Sequence, residues 1–428
     1  MTTRAEAAAG GSRLLSKSIL VFATTMLMAG AGAVFWVIAA RLAPAEDVGL
    51  AGSLVAAGDS LALFAQLGLN IAIVRTLPES SRRAADVVTA VLVVASAGTL
   101  LGLGYALLLP VTSPRLADVL SSPVTVVLFA VLVGMTALNV LTDNVFLALD
   151  RVWSFLRLNG VLMGVLKVGL PFALAGAGAF GLYGSVGLAV AACAAASVWS
   201  ILRVVPGSRR PSPSPELLAN RGFAAAGYVT YVLTVLPLLV FPVVVVNALG
   251  SAQAGTYFIS FQVAALLNVV VAALANLSYA EVERTRTHRH AAVRRSGLLL
   301  LAGSLAGCAA MVLLAPWLLA VFGEHYAGSG TATLRVLALA CVGAAFNYWG
   351  MLRLRLTADL VAMIGTQAVS TVVMLGLGVS LASHGTVWVA AAWGIGHVVG
   401  GLLGWMLTAT VRPFADDAPT PAEELEPA

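Results

Sequence analysis

A chain of 428 residues that is 60% hydrophobic and 10% charged, with mean hydropathy +0.96, lies far outside the composition of a water-soluble domain. Its net charge of +5 and pI near 9.4 do not point to nucleic acid, because the arginines fall in short loops between apolar runs and form no single basic face. Apolar runs of about 20 residues, enough for a hydrocarbon layer of roughly 30 Å, recur along the chain and none alternates like a barrel strand, so the fold class is all-α and polytopic.

In chain order the spans fall at about 18–40, 51–74, 86–110, 123–149, 156–179, 182–204, 223–247, 255–280, 297–322, 332–350, 358–382 and 386–410, twelve in all. The first run follows Arg4, Arg13 and Lys17 but is too long for a signal-peptide core, and it reads as an uncleaved first helix behind a cytoplasmic segment, 1–17. Ser16, Asp86 and Ser296 read as N-caps, and Pro110 and Pro316 as helix ends. The stretch PGSRRPSPSPELLANRG is the only Pro/Ser-rich linker of the interior. It divides the chain into a six-helix bundle over 18–205, a cytoplasmic linker over 206–221 and a second six-helix bundle over 222–411. The remainder, 412–428, is acidic, Pro-rich and expected to be disordered.

Twenty of the 24 Lys and Arg sort to one side of these spans: Arg4, Arg13 and Lys17, the loops carrying Arg75 to Arg83, Arg151 and Arg157, Arg203 to Arg221, Arg284 to Arg295, Arg353 and Arg355, and finally Arg412. The other side has only Arg41, Arg115 and, at its margin, Arg335, while Lys167 lies inside a span. This bias places both termini in the cytoplasm and independently requires an even span number.

The connector RLAPAEDVGL (41–50) is echoed by NALGSAQAGT 206 positions later, and Asn70 and Asn276 keep the same offset. LLLP (107–110) likewise matches LLAP (313–316), and ALN (137–139) matches AFN (345–347) two residues out of step. With six spans per half, the repeat is parallel, and transporters built this way place the substrate path between the halves.

The stretch from Ser18 to Glu79, containing FW, AARLAPAEDVGL and FAQLGLNIAIVRTLPE with Arg75 and Glu79 in Arg-x-x-x-Glu spacing, resembles the N-terminal signature of polysaccharide-biosynthesis flippases. These belong to the multidrug/oligosaccharidyl-lipid/polysaccharide (MOP) exporter superfamily. The resemblance implies two six-helix bundles in a MATE-like V, alternately open to each side, carrying a polyprenyl diphosphate-linked glycan to the outer leaflet of the cell membrane. It implies a monomer whose partners are that lipid-linked glycan and the surrounding membrane lipids. Lipid II flippases of the superfamily have two further helices. Multidrug exporters share the twelve-helix plan, but their acidic residue in the first helix is absent here.

Ionisable groups inside spans cost roughly 2.5–3.5 kcal/mol on insertion scales and therefore call for a partner or an aqueous cavity. Asp59, Gln66 and Asn70 share one face of the second span, with Arg75 just beyond it. Asn139 and Asp143 share a face of the fourth span with Thr136, and Lys167 sits mid-way in the fifth. Arg335 lies in the tenth. These eight are the candidate cavity residues, with Lys167, Arg75 and Arg335 offering positive charge to a diphosphate. The competing reading has Lys167 simply neutralising Asp59 or Asp143, with Asn and Gln tying helices together. No cofactor is called for; a coupling H⁺ or Na⁺ would sit at Asp59 or Asp143.

Three other chemistries are thin. Cys193, Cys308 and Cys341 lie in apolar runs without CxxC or Cys/His spacing and read as packing residues, not a disulfide or a metal site. THRH (287–290) reads as a solvated basic loop, and His384 and His397 as satisfied by neighbours. NVLTDNVFL (139–147) nearly matches an isoprenoid-diphosphate enzyme motif but has Leu147 where a second carboxylate is needed, and no GxxxxGK[ST] occurs. The expectation is a transporter without covalent chemistry: a lipid-linked oligosaccharide flippase first, a cation-coupled exporter of small drug-like molecules second, an intramembrane isoprenoid-diphosphate enzyme last.

Overall fold

The computed structural model describes residues 2–219, 221–284, 289–357 and 359–410, and the described elements are all helical. Eleven helical stretches among them are long and apolar enough to cross a membrane. One, Val152–Val204, has 53 residues, twice what a bilayer needs. It reverses at Gly178, whose φ of +66° suits a residue without a side chain, and its two limbs pack on each other. Counted as two spans, it brings the number to the expected twelve.

The helices are α1 (Thr2–Leu42), α2 (Ala45–Phe64), α3 (Leu69–Thr76), α4 (Arg83–Thr112), α5 (Pro114–Val119) and α6 (Pro123–Ala148). Then follow α7 (Val152–Phe155), a π-helical segment (Leu156–Leu162), α8 (Met163–Leu174), α9 (Gly178–Val204) and α10 (Pro215–Ala219). The rest are α11 (Arg221–Leu249), α12 (Ser251–Arg284), α13 (Arg289–Ala320), α14 (Glu324–Leu356), α15 (Leu360–Leu381) and α16 (Thr386–Thr410). The acidic stretch 412–428, and His288 with Arg286 in the basic loop, lie outside the described residues.

The chain forms two compact units, Met1–Ile259 with Val321–Gly323, and Ser260–Ala320 with Glu324–Ala428. This is a division by packing, distinct from the six-plus-six division by chain order. In the first unit a buried cluster of Ala62, Ile73, Leu77, Val87, Leu141, Val145, Phe146, Phe155 and Ile201 joins α2, α3, α4, α6, α7 and α9. In the second unit α14 packs between α13 and α16, and α15 packs on α16. Outward-facing Leu100, Leu107, Phe172, Leu313 and Trp317 are exposed, as expected where the surrounding solvent is hydrocarbon.

Several helix boundaries depart from the sequence reading. Asp86 does not cap α4; it lies in the first turn, fully buried, and accepts from the Ser80 hydroxyl at 2.5 Å and the Ser214 amide at 2.7 Å. It thereby ties the Pro/Ser-rich linker to the start of α4. Ser214 in turn accepts from Leu217 N at 3.2 Å, starting α10. There Glu216 is held below the usual carboxylate range by backbone and Ser214 hydrogen bonds. Ser16 and Ser296 lie inside α1 and α13, again not as caps. Pro110 and Pro316 do not end their helices, which run on to Thr112 and Ala320. Near a C-terminus a proline forfeits one hydrogen bond without forcing the chain to stop. Side-chain caps among the described residues include Ser122, in a capping box with Thr125 ahead of Pro123, and Asp359, which accepts from Ala362 N at 2.9 Å.

The second span is not one helix. It breaks over residues 65–68, where Leu67 and Gly68 take φ of +48° and +80°. A break at membrane depth frees carbonyls that hydrocarbon cannot satisfy. Here the last carbonyls of α2 find donors: Leu61 O accepts from Ala65 N, Leu63 O from Gln66 N, and Ala62 O from Gln66 Nε2. Phe64 O accepts the Tyr228 hydroxyl at 2.6 Å. Gln66 Nε2 also donates to Ala137 O of α6 at 2.9 Å, which pins the break to its neighbour.

The two echoed connectors meet within the first unit. A side chain on Gly49 would overlap the Ser251 carbonyl and the Gly255 amide, and one on Gly255 would overlap the Ala45 carbonyl. Positions 45 and 251, like 49 and 255, are the 206-residue equivalents, so the contact is locally two-fold. The charge asymmetry is resolved the same way. Arg41 donates to Val321 O at 2.9 and 3.1 Å, just past α13. Its equivalent Asn247 donates to Thr112 O at 2.6 Å, at the end of α4. Equivalent positions thus cap the ends of the third and ninth spans.

Candidate functional site

Four helices of the first unit, α2, α6, α8 and α9, carry the interior polar groups. Along α2 the residues flanking Asp59 are buried while Asp59 itself is exposed. Gly58 lies against the Tyr183 hydroxyl and Val133, which places α9 and α6 beside this turn of α2. Lys167, half-buried on α8, has its strongest charge interaction with Asp59, and Tyr183 also feels the Asp59 charge. The two charges do not close into a direct ion pair, and among the described residues Lys167 makes no hydrogen bond.

Asp143, one turn of helix beyond Asn139 on α6, has a buried Oδ1 without a hydrogen-bond partner among the described residues. Asn139 Oδ1 is in the same condition. Cys193 on α9 lies within electrostatic reach of both Lys167 on α8 and Asp143 on α6. Cys193 Sγ meets the Leu158 carbonyl at 3.4 Å. That carbonyl belongs to the π-helical segment, whose wider ring is a recurrent feature of functional positions in helices.

Asn159, in the same segment, is fully buried with neither amide atom hydrogen-bonded among the described residues, and Ser197 Oγ on α9 is buried and unpartnered as well. Leaving a buried polar group unpaired costs about 1–3 kcal/mol, so this interior carries unused hydrogen-bonding capacity. Asn159, Tyr183 and Ser197 were not singled out from the sequence. A lone Asn or Ser in an apolar run is visible there, but nothing in the run says which face is enclosed.

The eight candidate residues thus separate. Asp59 and Lys167 lie within charge reach of each other, Asp143 and Lys167 each within reach of Cys193, and Asn139 is buried one turn before Asp143 on α6. Gln66 is fully buried in the break of the second span, its amide engaged by two main-chain carbonyls, and only Oε1 is left without a partner among the described residues. Asn70 follows the break at 65–68, so it does not continue the helix of Asp59 and lies, half-buried, on α3. Arg75 is exposed near the end of α3. Arg335 belongs to the second unit, where it is exposed and donates from Nε to Val312 O at 3.2 Å.

The second unit has a polar interior of its own. Asn347 Nδ2 meets His397 Nδ1 at 3.1 Å, Ser370 donates to Gly396 O at 2.7 Å, and Thr333 and Thr386 share a 2.7 Å bond. His397 is further enclosed by the edge-on Trp393 ring at 4.7 Å. The three cysteines are free and buried. Among the described residues no group of three or more His, Cys, Asp or Glu is placed to hold a metal.

No protein-family model matches the chain, and no curated protein matches it. Solved structures do. An inward-facing multidrug resistance MATE family transporter of the MOP superfamily is 17% identical, covering 92% of this chain and 98% of its own, with TM-score 0.67. The lipid II flippase MurJ, in an inward closed conformation, is 12% identical over 94% of this chain and 89% of its own, with TM-score 0.68. A MOP superfamily transporter from Pyrococcus furiosus, whose binding pocket has reversed polarity suggesting a different function, is 16% identical over 92% and 95%, with TM-score 0.58. At such identities the likeness is one of fold. The chain has the all-helical fold shared by MATE and MurJ transporters of the MOP superfamily.

Proposed function

We propose that this chain is a membrane transporter that moves a lipid-linked oligosaccharide or polysaccharide precursor from the cytoplasmic to the outer leaflet of the cell membrane, with both termini cytoplasmic. The observation that carries this reading is Lys167. Four cations lie outside the arginine-rich loops, and three of them, Arg41, Arg115 and Arg335, donate to main-chain carbonyls. Lys167 alone has no such duty, yet an ammonium inside a span is costly. An interior cation left without a direct ion pair suits the diphosphate of a polyprenyl-linked glycan. Unpartnered Asn139, Asp143 and Asn159 add hydrogen-bonding groups suited to a polar cargo.

A second reading, a cation-coupled exporter of small drug-like molecules, is favoured by Asp59 and Asp143, two carboxylates at membrane depth beside a fold shared with MATE transporters. The two differ in which charge is indispensable. In proteoliposomes carrying a fluorescent polyprenyl-diphosphate glycan, Lys167→Ala is expected to reduce translocation at least tenfold, and Lys167→Arg to restore much of it. Unchanged translocation by Lys167→Ala removes the lysine from the mechanism. Transport of a cationic dye with no glycan translocation supports the second reading.

A further inference from the structure

On the second unit, α13 and α14 line a half-open cavity of about 260 Å³ near the arginine-rich end of both helices. Its walls are Leu298 and Leu301 of α13 and Ala345, Phe346 and Trp349 of α14, with Arg294 the one charged residue lining it. The apolar walls are not the inside of a core, since Leu298 is 58% and Leu301 45% exposed. Arg294 is also exposed and, among the described residues, makes no hydrogen bond or ion pair. Trp349 is fixed in place by donating Nε1 to Val293 O at 3.1 Å and by stacking on Phe346, ring centroids 6.0 Å apart. The Arg353 guanidinium sits 4.9 Å over the Trp349 ring, adding a second positive charge at this end, while Glu281 is an exposed acid near the same end of α12.

The arrangement is graded along the membrane normal. Positive charge and an indole mark the interface, and apolar wall continues inward for seven residues of helix, about 10 Å. A soluble anion would use the arginine and leave the leucine wall facing hydrocarbon for no purpose. A neutral lipid would use the wall and leave Arg294 unpaired. From these two ends together we propose that the cavity is a binding site for an anionic phospholipid of the surrounding leaflet, its phosphate on Arg294 and the first part of an acyl chain against Leu298, Leu301 and Phe346. Basic pockets between membrane helices recognise headgroups in this way. The site belongs to the second unit, whereas Lys167 belongs to the first, and it does not depend on the transported cargo.

Native mass spectrometry of the full chain in detergent, titrated with equal amounts of phosphatidylglycerol and phosphatidylcholine, tests it. At least one phosphatidylglycerol is expected to be retained in preference to phosphatidylcholine. Arg294→Gln is expected to lower that retention about fivefold, the effect of one basic residue near a charged lipid surface. Arg295→Gln, next in sequence but outside the cavity, is expected to leave it unchanged. Leu301→Trp, which fills the apolar end, is expected to reduce retention of either lipid. Equal retention of the two lipids overturns the proposal, as do equal effects of the two arginine changes, which indicate diffuse surface charge. Wild-type binding by Leu301→Trp also overturns it. Arg294→Gln and Leu301→Trp act at opposite ends of the site, so each decides the question independently.

Discussion

A single interior side chain in this protein is judged by what it can bond to. Lys167, Asp59 and Asp143 were conspicuous in the sequence because a charge in an apolar run has no cheap alternative to a partner or a cavity. Gln66 was equally conspicuous and serves the backbone, with two carbonyls on its amide. Ser197 and Asn159 were inconspicuous and prove to have unused polar atoms. The difference is enclosure, which depends on side chains far away in sequence. Ser197→Ala removes a buried hydroxyl without a partner at almost no change in volume. It is expected to leave the melting temperature in detergent unchanged or to stabilise the fold by about 1 kcal/mol. A fall of that size would mean that the hydroxyl is satisfied in the folded protein.

At the scale of the element, the second span shows where periodicity misleads. Residues 59, 66 and 70 fit one helical face by spacing, but spacing presumes an unbroken helix, and residues 65–68 break it. The local signal was only Gly68, one glycine among 42. What makes the break tenable is tertiary: Tyr228 and Gln66 occupy the freed carbonyls. Gly68→Ala, at φ +80°, is expected to destabilise by about 1–2 kcal/mol. Tyr228→Phe should cost about 1 kcal/mol by withdrawing the hydroxyl from Phe64 O. Thermal unfolding in detergent measures both. If Gly68→Ala melts like wild type, the chain does not hold the left-handed conformation there.

For the molecule as a whole, charge asymmetry and span count make a topological statement that can be checked directly. All three native cysteines are buried, so single cysteines can be introduced against a quiet background. Ser208→Cys, in the linker, is expected to react with a membrane-impermeant maleimide only after permeabilisation. Ser121→Cys, between α5 and α6, is expected to react in intact cells. The reverse pattern would invert the orientation, and reaction of both from outside would break the twelve-span reading. The arginines against the bias do not weaken this expectation, because Arg41 and Arg115 are held by main-chain carbonyls at 2.6–3.1 Å.

By itself the sequence determined the class of the molecule and its twelve spans, because hydrocarbon imposes one requirement on every spanning segment and composition records it residue by residue. It also exposed the few interior charges. Only the tertiary structure decided that the second span is broken, that the Gln66 amide is taken up by two main-chain carbonyls, and that Asn159 and Ser197 are buried with polar atoms left unpartnered among the described residues. It decided, too, that the echoed glycines Gly49 and Gly255 touch. Each of these depends on which groups face each other across helices, and pairing between helices leaves no period in the chain.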